Sequence, residues 1–384
     1  MSDASDVVII GGGIVGCACA YELAKAGARV TLLEYGKTGM QATNAAAGML
    51  APIIESQGAG PMRDAGIAAL HAYPALVAEL EAACGFDIEL RLDGILKVAF
   101  EDDGIDELRR RFLRQRAASL EVEWLDAAMC RELEPRSSDR VAGGVFSASE
   151  GGVSNQLLAL ALERAAIAHG AEIRQRTPVT GFAASSGKVT AVRSGDTTFA
   201  GDTIVIAAGA RSGQIAALLP RPRAPGGTRG ERRPNLLPVR PIRGQMIALG
   251  GMSTPIRHVV WGPDGYLVPR ANGIVFAGAT VEDVGFRRRT TAAGIRAMRM
   301  MALGLVPQLA AAKVLFDWAG LRPNSPDDLP IIGPLQAHPN IIAASGHYRN
   351  GILLGPLTGV WVARGITTGD WSPVPAAFAA SRFG

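Results

Sequence analysis

The sequence predicts an α/β protein, α+β overall, in which an N-terminal βαβ unit is joined to a second region of antiparallel strands. Three observations predict it. The chain opens on a continuous apolar run, Val7-Val8-Ile9-Ile10, followed by a glycine-rich turn, a helix-length stretch and a second run, Arg29-Val30-Thr31-Leu32-Leu33-Glu34. This fits a βαβ unit of about 30 residues. Apolar and polar residues then alternate at 86–100 and within 239–280, as in half-solvated antiparallel strands. Continuous apolar character returns at Thr203-Ile204-Val205-Ile206-Ala207-Ala208-Gly209, which reads as a further strand of the first sheet.

Taken in order, Val7–Ile10 is a buried strand, and the helix after Gly16 runs to about Ala26, closed by Gly27. Residues 63–85 read as a helix ending before Gly85. Asp87-Ile88-Glu89-Leu90-Arg91-Leu92 begins the alternating strand that reaches Phe100, and a charged helix covers about 104–118. Val153 to Gly170 is helical, capped by Ser154 or Asn155. Glu172-Ile173-Arg174 returns to the first sheet. The Pro-, Gly- and Arg-rich segment 220–235 reads as an exposed, mobile loop. Gln245–Leu249 and Gly273–Ala277 are strands, and the last helix lies near 356–368.

A length of 384 residues suggests two or three domains at ~150 residues each. Hydrophobic residues at 48% and charged residues at 19% exclude a disordered chain. The net charge of +4 is too small to imply nucleic-acid binding. Cys17, Cys19, Cys84 and Cys130 form neither a disulfide framework nor a zinc spacing and read as small buried residues in a reducing cytoplasm. The five His are scattered, so no metal site is expected. The acidic start is unlike a secretory signal, and no run reaches ~18 uninterrupted apolar residues.

Gly11-x-Gly13-x-x-Gly16 lies between the first strand and helix. In such a motif the first glycine allows the tight turn, the second admits a pyrophosphate to the backbone, and the third lets the helix pack on the strand. The helix N-terminus adds unpaired N–H groups and partial positive charge. Glu34, 18 residues beyond Gly16, is placed to accept from ribose hydroxyls. The motif suits NAD or FAD. Two later features lean to FAD: the small-residue loop Gly39–Met49, which could run under a flavin, and Gly346–Pro356, a helix start that could face the ring edge that becomes anionic on reduction.

Glu34, Ala45–Leu50, Thr177-Pro178-Val179, Ala207-Ala208-Gly209, Arg243-Gly244-Gln245, Tyr266–Arg270, Trp318–Pro323 and Gly346–Ile352 recur in order over about 7–370. Together they resemble the D-amino-acid-oxidase-like FAD oxidoreductases, nearest their glycine oxidase branch of thiamine biosynthesis. The resemblance implies a Rossmann-like FAD-binding domain from 1–85, 146–215 and 318–384, with an antiparallel substrate domain inserted from 86–145 and 216–317. It implies that Gly11, Gly13, Ile14, Val15, Gly16, Glu34, Ala42, Thr43, Ala47, Gly48, Met49, Val179 and Gly209 border FAD. The loop Gly346, His347, Tyr348, Arg349, Asn350, Gly351 and Ile352 joins them. Arg322, Tyr266 and Arg349 match substrate-side and catalytic positions. With no Cys beyond Cys130, the FAD is expected to be non-covalent.

The activity so implied is oxidation of glycine, small amines or D-amino acids, with the hydride passing from Cα to the flavin and oxygen reduced to peroxide. Arg322 suits the substrate carboxylate because its planar fork makes two parallel hydrogen bonds, and Tyr266 could add a hydroxyl. A D-amino acid dehydrogenase feeding a quinone and a sarcosine-oxidase-like enzyme are the alternatives. An RNA-acting flavoprotein is a third: Arg221, Arg223, Arg229, Arg232, Arg233, Arg240 and Arg243 lie close together, but without stacking aromatics. A cytoplasmic homo-oligomer is expected.

Overall fold

The computed structural model describes residues 5–56, 58–100, 104–220, 236–251 and 256–383. Its first sheet has eight strands, with the order Ile331–Leu335, His338–Ser345, Thr197–Ile206, Ser5–Ile10, Val30–Leu33, Glu172–Arg174. The four pairings from His338–Ser345 to Glu172–Arg174 are parallel, and the hairpin Gly181–Ser185/Lys188–Ser194 extends the sheet. Val7–Ile10 are all buried, as a strand covered on both faces requires. Asn155–Ala168 and Gly351–Thr368 each pack against Ile14–Lys25 on this sheet.

The second sheet also has eight strands: Lys313–Asn324, Arg240–Gly250, Val275–Gly278, Gly265–Pro269, Val259–Gly262, Ile95–Phe100, Val141–Ser147, Glu123–Asp126. All its pairings are antiparallel except Val259–Gly262 with Ile95–Phe100. The amphipathic helix Ala292–Leu305 covers one face, burying Met298, Met301, Ala302 and Leu305.

Several expectations need correction. Asp87–Leu92 is not a strand. Glu89 (φ 58°) and Gly94 (φ 101°) break the extended backbone, leaving only an isolated bridge from Arg91 to Gly152, and the strand starts at Ile95. Ser154 occupies the N-cap of Asn155–Ala168 without bonding through its side chain, while Asn155 Nδ2 donates to the Thr43 carbonyl at 2.6 Å. The last helix starts at Gly351 and runs through Pro356. Proline removes the N–H that would reach the Ile352 carbonyl, and the buried Tyr73 hydroxyl donates to that carbonyl instead.

Cys17, Cys19 and Cys130 are buried and free, but Cys84 is half-buried. Residues 221–235, with Arg221, Arg223, Arg229, Arg232 and Arg233, lie outside the described residues. Arg240 and Arg243 are ion-paired with Asp283 and Glu282. Among the described residues no His, Cys, Asp and Glu group has metal-binding geometry. One helix, Pro61–Cys84, is long and apolar enough to span a membrane by length and composition. It also carries Arg63, Asp64, Glu79 and Glu81, and buries Ala69, Leu70, Tyr73, Val77 and Leu80 in the core.

Candidate active site

A cavity of about 610 Å³ is lined by residues from both sheets. Of the residues expected at the site, Gly11, Gly13, Ile14, Val15, Glu34, Ala42, Thr43, Ala47, Gly48, Met49, Val179 and Gly209 line it. His347, Tyr348, Arg349, Asn350, Gly351, Ile352, Tyr266 and Arg322 line it as well. Gly16 and Gly346 do not, and their roles are in the backbone. A Cβ on Gly16 would lie 1.8 Å from the Gly11 carbonyl oxygen, and Gly346 takes φ +76° to turn the chain out of the parallel sheet.

At one end the glycine turn is set by close approach. Gly11 has φ +109°, and a Cβ there would lie 2.5 Å from the Ala207 oxygen. Gly13 differs: its Cβ would meet only Thr43 Oγ1, at 3.3 Å, a tight contact with one side chain and none with backbone. Ile14 N–H donates to Thr43 Oγ1 at 2.9 Å. Glu34 is buried; its Oε2 accepts from Gly12 N–H at 2.7 Å and its Oε1 from Gly36 N–H at 2.9 Å. Each carboxylate oxygen keeps further acceptor capacity. This arrangement offers a diphosphate an open backbone and a sugar diol a buried acceptor.

Ala45–Gly48 form a wall of small side chains. Trp318 Nε1–H donates to the Ala45 carbonyl at 3.1 Å, and a Cβ on Gly320 would lie 2.4 Å from Ala45 Cβ. The antiparallel sheet is thereby pressed onto the segment that leaves the parallel one.

At the other end Tyr266 is buried, with its ring 5.5 Å from that of Trp261. Burial pushes the Tyr266 phenol above its ordinary value, with Arg322 and Arg349 pulling the other way. The Arg322 guanidinium lies against Gly244, where a Cβ would stand 2.4 Å from Nη2, and its Nη1 donates to the Thr280 carbonyl at 3.0 Å. On Val30–Leu33 or any other parallel strand such a charge would be covered on both faces. On Lys313–Asn324, an edge strand, it reaches the cavity.

Arg349 pairs with Glu55 at 3.4 Å, and its guanidinium carbon is 5.6 Å from the Trp261 ring centre. Glu55 was not legible as a site residue: a single acid after Pro52-Ile53-Ile54 carries no spacing signal. It is held by a buried network. Glu150 accepts from the Ile53 and Ile54 N–H groups, Arg111 Nη2 donates to the Ile54 carbonyl at 2.7 Å, and Gln115 Nε2 donates to the Ile53 carbonyl at 2.8 Å. Burial pushes Glu150 up to about 8, and burial with Arg111 nearby brings Lys97, 5.3 Å from the Trp261 ring, down to about 8. His347 is buried and its Nε2 lies 2.9 Å from Thr358 Oγ1; burial lowers it to about 4, so it is neutral at pH 7. Tyr35, Met246, Phe286 and Arg288 are further lining residues that no motif signalled, and Gln41, within the Gly39–Met49 loop, lines it too.

A sequence profile described as FAD dependent oxidoreductase matches residues 6–364. The chain is 34% identical over 366 residues to a glycine oxidase of Geobacillus kaustophilus, covering 94% of this chain and 93% of that protein. It is 35% identical over 389 residues to a bifunctional protein ThiO/ThiG of Synechocystis, covering all of this chain but only 55% of that one. Its fold matches the crystal structure of glycine oxidase from Geobacillus kaustophilus with a TM-score of 0.87 at 33% identity, over 97% of this chain and 98% of that one.

Proposed function

The chain belongs to the FAD-dependent oxidoreductase family, and we propose that it oxidises glycine and other small amines or D-amino acids to the imine, with oxygen reduced to hydrogen peroxide. It is an FAD-dependent amine oxidoreductase. The finer reading rests on one observation: the Arg322 guanidinium, fixed against Gly244, stands beside the buried Tyr266 phenol in a cavity whose opposite side is small and apolar.

The residues fit FAD. Gly13 leaves a cradle that a larger side chain would fill, Glu34 is a buried acid with unused lone pairs, and Ala45–Gly48 leave a wall free of bulk. Gly11, Gly13, Ile14, Val15 and Thr43 would hold the pyrophosphate and Glu34 the ribose. Val179 and Gly209 would border the nucleotide. Ala42, Ala47, Gly48, Met49 and the 346–352 loop would border the ring. Among the described residues no cysteine lines the cavity, which supports a non-covalent cofactor. Bound FAD supplies the two-electron acceptor for the hydride that leaves the substrate Cα.

The chain's own residues do the positioning. Arg322 would hold the carboxylate through two parallel N–H bonds, with Thr280 fixing its plane. Tyr266, kept protonated by its raised pKa, would donate a third. Arg349 is engaged with Glu55, so it frames the site beside Arg322 rather than replacing it. With His347 lowered to about 4 and so a weak base, Tyr266 protonated and Glu55 engaged by Arg349, the amine would lose its proton to solvent on or before binding.

The likeness to ThiO/ThiG supports a role in thiamine biosynthesis. The edge strand Lys313–Asn324, with Leu315 and Phe316 each 49% exposed, supports a homo-oligomer. The test is an amine panel with peroxide detection on purified protein. Peroxide from glycine or sarcosine is expected. Reduction of a dye without peroxide would replace oxygen by another acceptor and favour the dehydrogenase.

A further inference from the structure

The nucleotide end of the cavity carries a side-chain cluster that the glycine motif does not account for. Arg211, in the Gly209–Arg211 turn after the Thr197–Ile206 strand, lies between two rings. Its guanidinium carbon is 5.2 Å from the Tyr35 ring centre and 5.0 Å from that of Phe286. Tyr35 directly follows Glu34 at the end of a parallel strand. Phe286 comes from the 281–290 segment, which leaves the antiparallel sheet. Both rings line the cavity, and both stay well exposed, at 41% and 38%.

The 281–290 segment is fastened along its length. Glu282 pairs with Arg243, Asp283 with Arg240 at 2.7 Å, and Thr290 donates to Asp317. Arg288, also in the cavity lining, donates to Gln41, beside the Ala42–Ala45 turn. Two cations and two half-exposed rings therefore surround the end that Glu34 and the glycine turn mark for a nucleotide. Adenosine diphosphate has complementary chemistry: a flat base that stacks, and a diphosphate carrying negative charge.

We propose that Tyr35, Arg211, Phe286 and Arg288 form the binding surface for the adenosine diphosphate half of FAD, with the 281–290 segment lying across it as a strap. The rings offer the base a stacking face, and the two arginines set positive charge beside the phosphates. Cofactor exchange then requires the strap to lift, breaking the Arg211–Phe286 contact. The inference depends on FAD binding and not on which amine is oxidised.

The test uses the full chain, stripped of flavin and reconstituted. FAD affinity is read from flavin fluorescence, and ADP affinity from its competition with FAD. Phe286→Leu and Arg211→Gln should each weaken FAD and ADP by roughly tenfold, the loss of cation–π and stacking contacts at a partly solvated site. Phe286→Tyr, which keeps the ring, should stay within about twofold. FAD should also leave the Phe286→Leu protein faster than the wild type. Lower apoprotein stability with unchanged FAD and ADP affinity would reduce the stack to a brace between the sheets and overturn the proposal. So would a loss for FAD without a loss for ADP, or ADP that fails to compete with FAD on the wild-type protein.

Discussion

The two ends of the cavity are built by different means. The floor of the nucleotide end is local and mostly backbone: Gly11, Gly13, the Ile14 N–H and the buried Glu34 come from 24 consecutive residues, and the tolerances are set by how closely two chains approach, with Arg211, Phe286 and Arg288 added from distant segments. The amine end is made of side chains from distant places: Glu55 from a short helix, Tyr266 and Arg322 from two strands, and Arg349 from the turn before the last helix. Errors at the first end should therefore act on folding and cofactor retention, and errors at the second on substrate alone.

The largest effect should come from Gly16→Val. Its Cβ would stand 1.8 Å from the Gly11 oxygen, so the helix must move off the strand. A loss of about 4 kcal/mol or more is expected, in the range reserved for severe core conflicts, read as the melting of the apoprotein. Gly13→Val separates folding from binding within the same turn. Its Cβ would press on the Thr43 hydroxyl alone, at 3.3 Å against 1.8 Å for Gly16, so the apoprotein should lose only about 1 kcal/mol, yet the larger side chain occupies the cradle and FAD should not bind. Equal damage to fold from both variants would show that the cradle is not open.

Next in size is Arg322→Ala, expected to cost about 2–5 kcal/mol in kcat/KM for glycine, as for a lost partner of a buried ion pair. Amines lacking a carboxylate should be spared, and Arg322→Lys should not restore glycine, since a point charge lacks the two-pronged geometry. Unaltered KM and carboxylate inhibition would hand the role to Arg349. Glu34→Ala should weaken FAD by about 1–3 kcal/mol, by equilibrium titration. Part of this reports the Gly12 and Gly36 N–H groups left without their acceptor. Unchanged affinity would remove Glu34 from the cofactor site.

The smallest effect is expected for Tyr266→Phe, about 0.5–1.5 kcal/mol in kcat/KM for one neutral hydrogen bond. Its pH behaviour carries more information. The phenol pKa is raised, so the hydroxyl stays protonated further into alkali than a free tyrosine and cannot serve as base below that point. kcat/KM should climb with pH following the substrate amine, the limb should shift between two amines of different basicity, and Tyr266→Phe should leave it in place. A limb fixed at one pH for both amines, and lost in Tyr266→Phe, would make the tyrosine an enzymic base.

The same contrast explains what was legible in the sequence. Glycine spacing, an acid at a fixed distance and two apolar runs are local signals, so the first βαβ unit was readable, with strand ends correct to two residues. The family pattern brought Tyr266, Arg322 and Arg349 to one cavity. Glu55, Arg211 and Phe286 were silent, since each acts through neighbours more than 70 residues away in sequence. Gly16 and Gly346 show the limit of reading glycine: the residue type says that something comes close, not whether it is a ligand or the chain itself. Asp87–Leu92 alternated as a strand should, but alternation says nothing of the left-handed residues at 89 and 94 that end it.

The order of strands in the parallel sheet has a temporal consequence. Ser5–Ile10 is made before every other strand of this sheet; it has Val30–Leu33 on one side, but its other neighbour, Thr197–Ile206, is made almost 200 residues later, and His338–Ser345 later still. Until then the edge of an unusually apolar strand stands open, and the turn that cradles the nucleotide lacks the Ala207 carbonyl against which Gly11 is folded. Such long-range closure is slow and leaves pairing edges exposed to other nascent chains. Cofactor capture is thus a late event in the life of the polypeptide, and a chain halted before residue 331 would carry the complete glycine fingerprint without the wall that the 346–352 loop adds to the cavity.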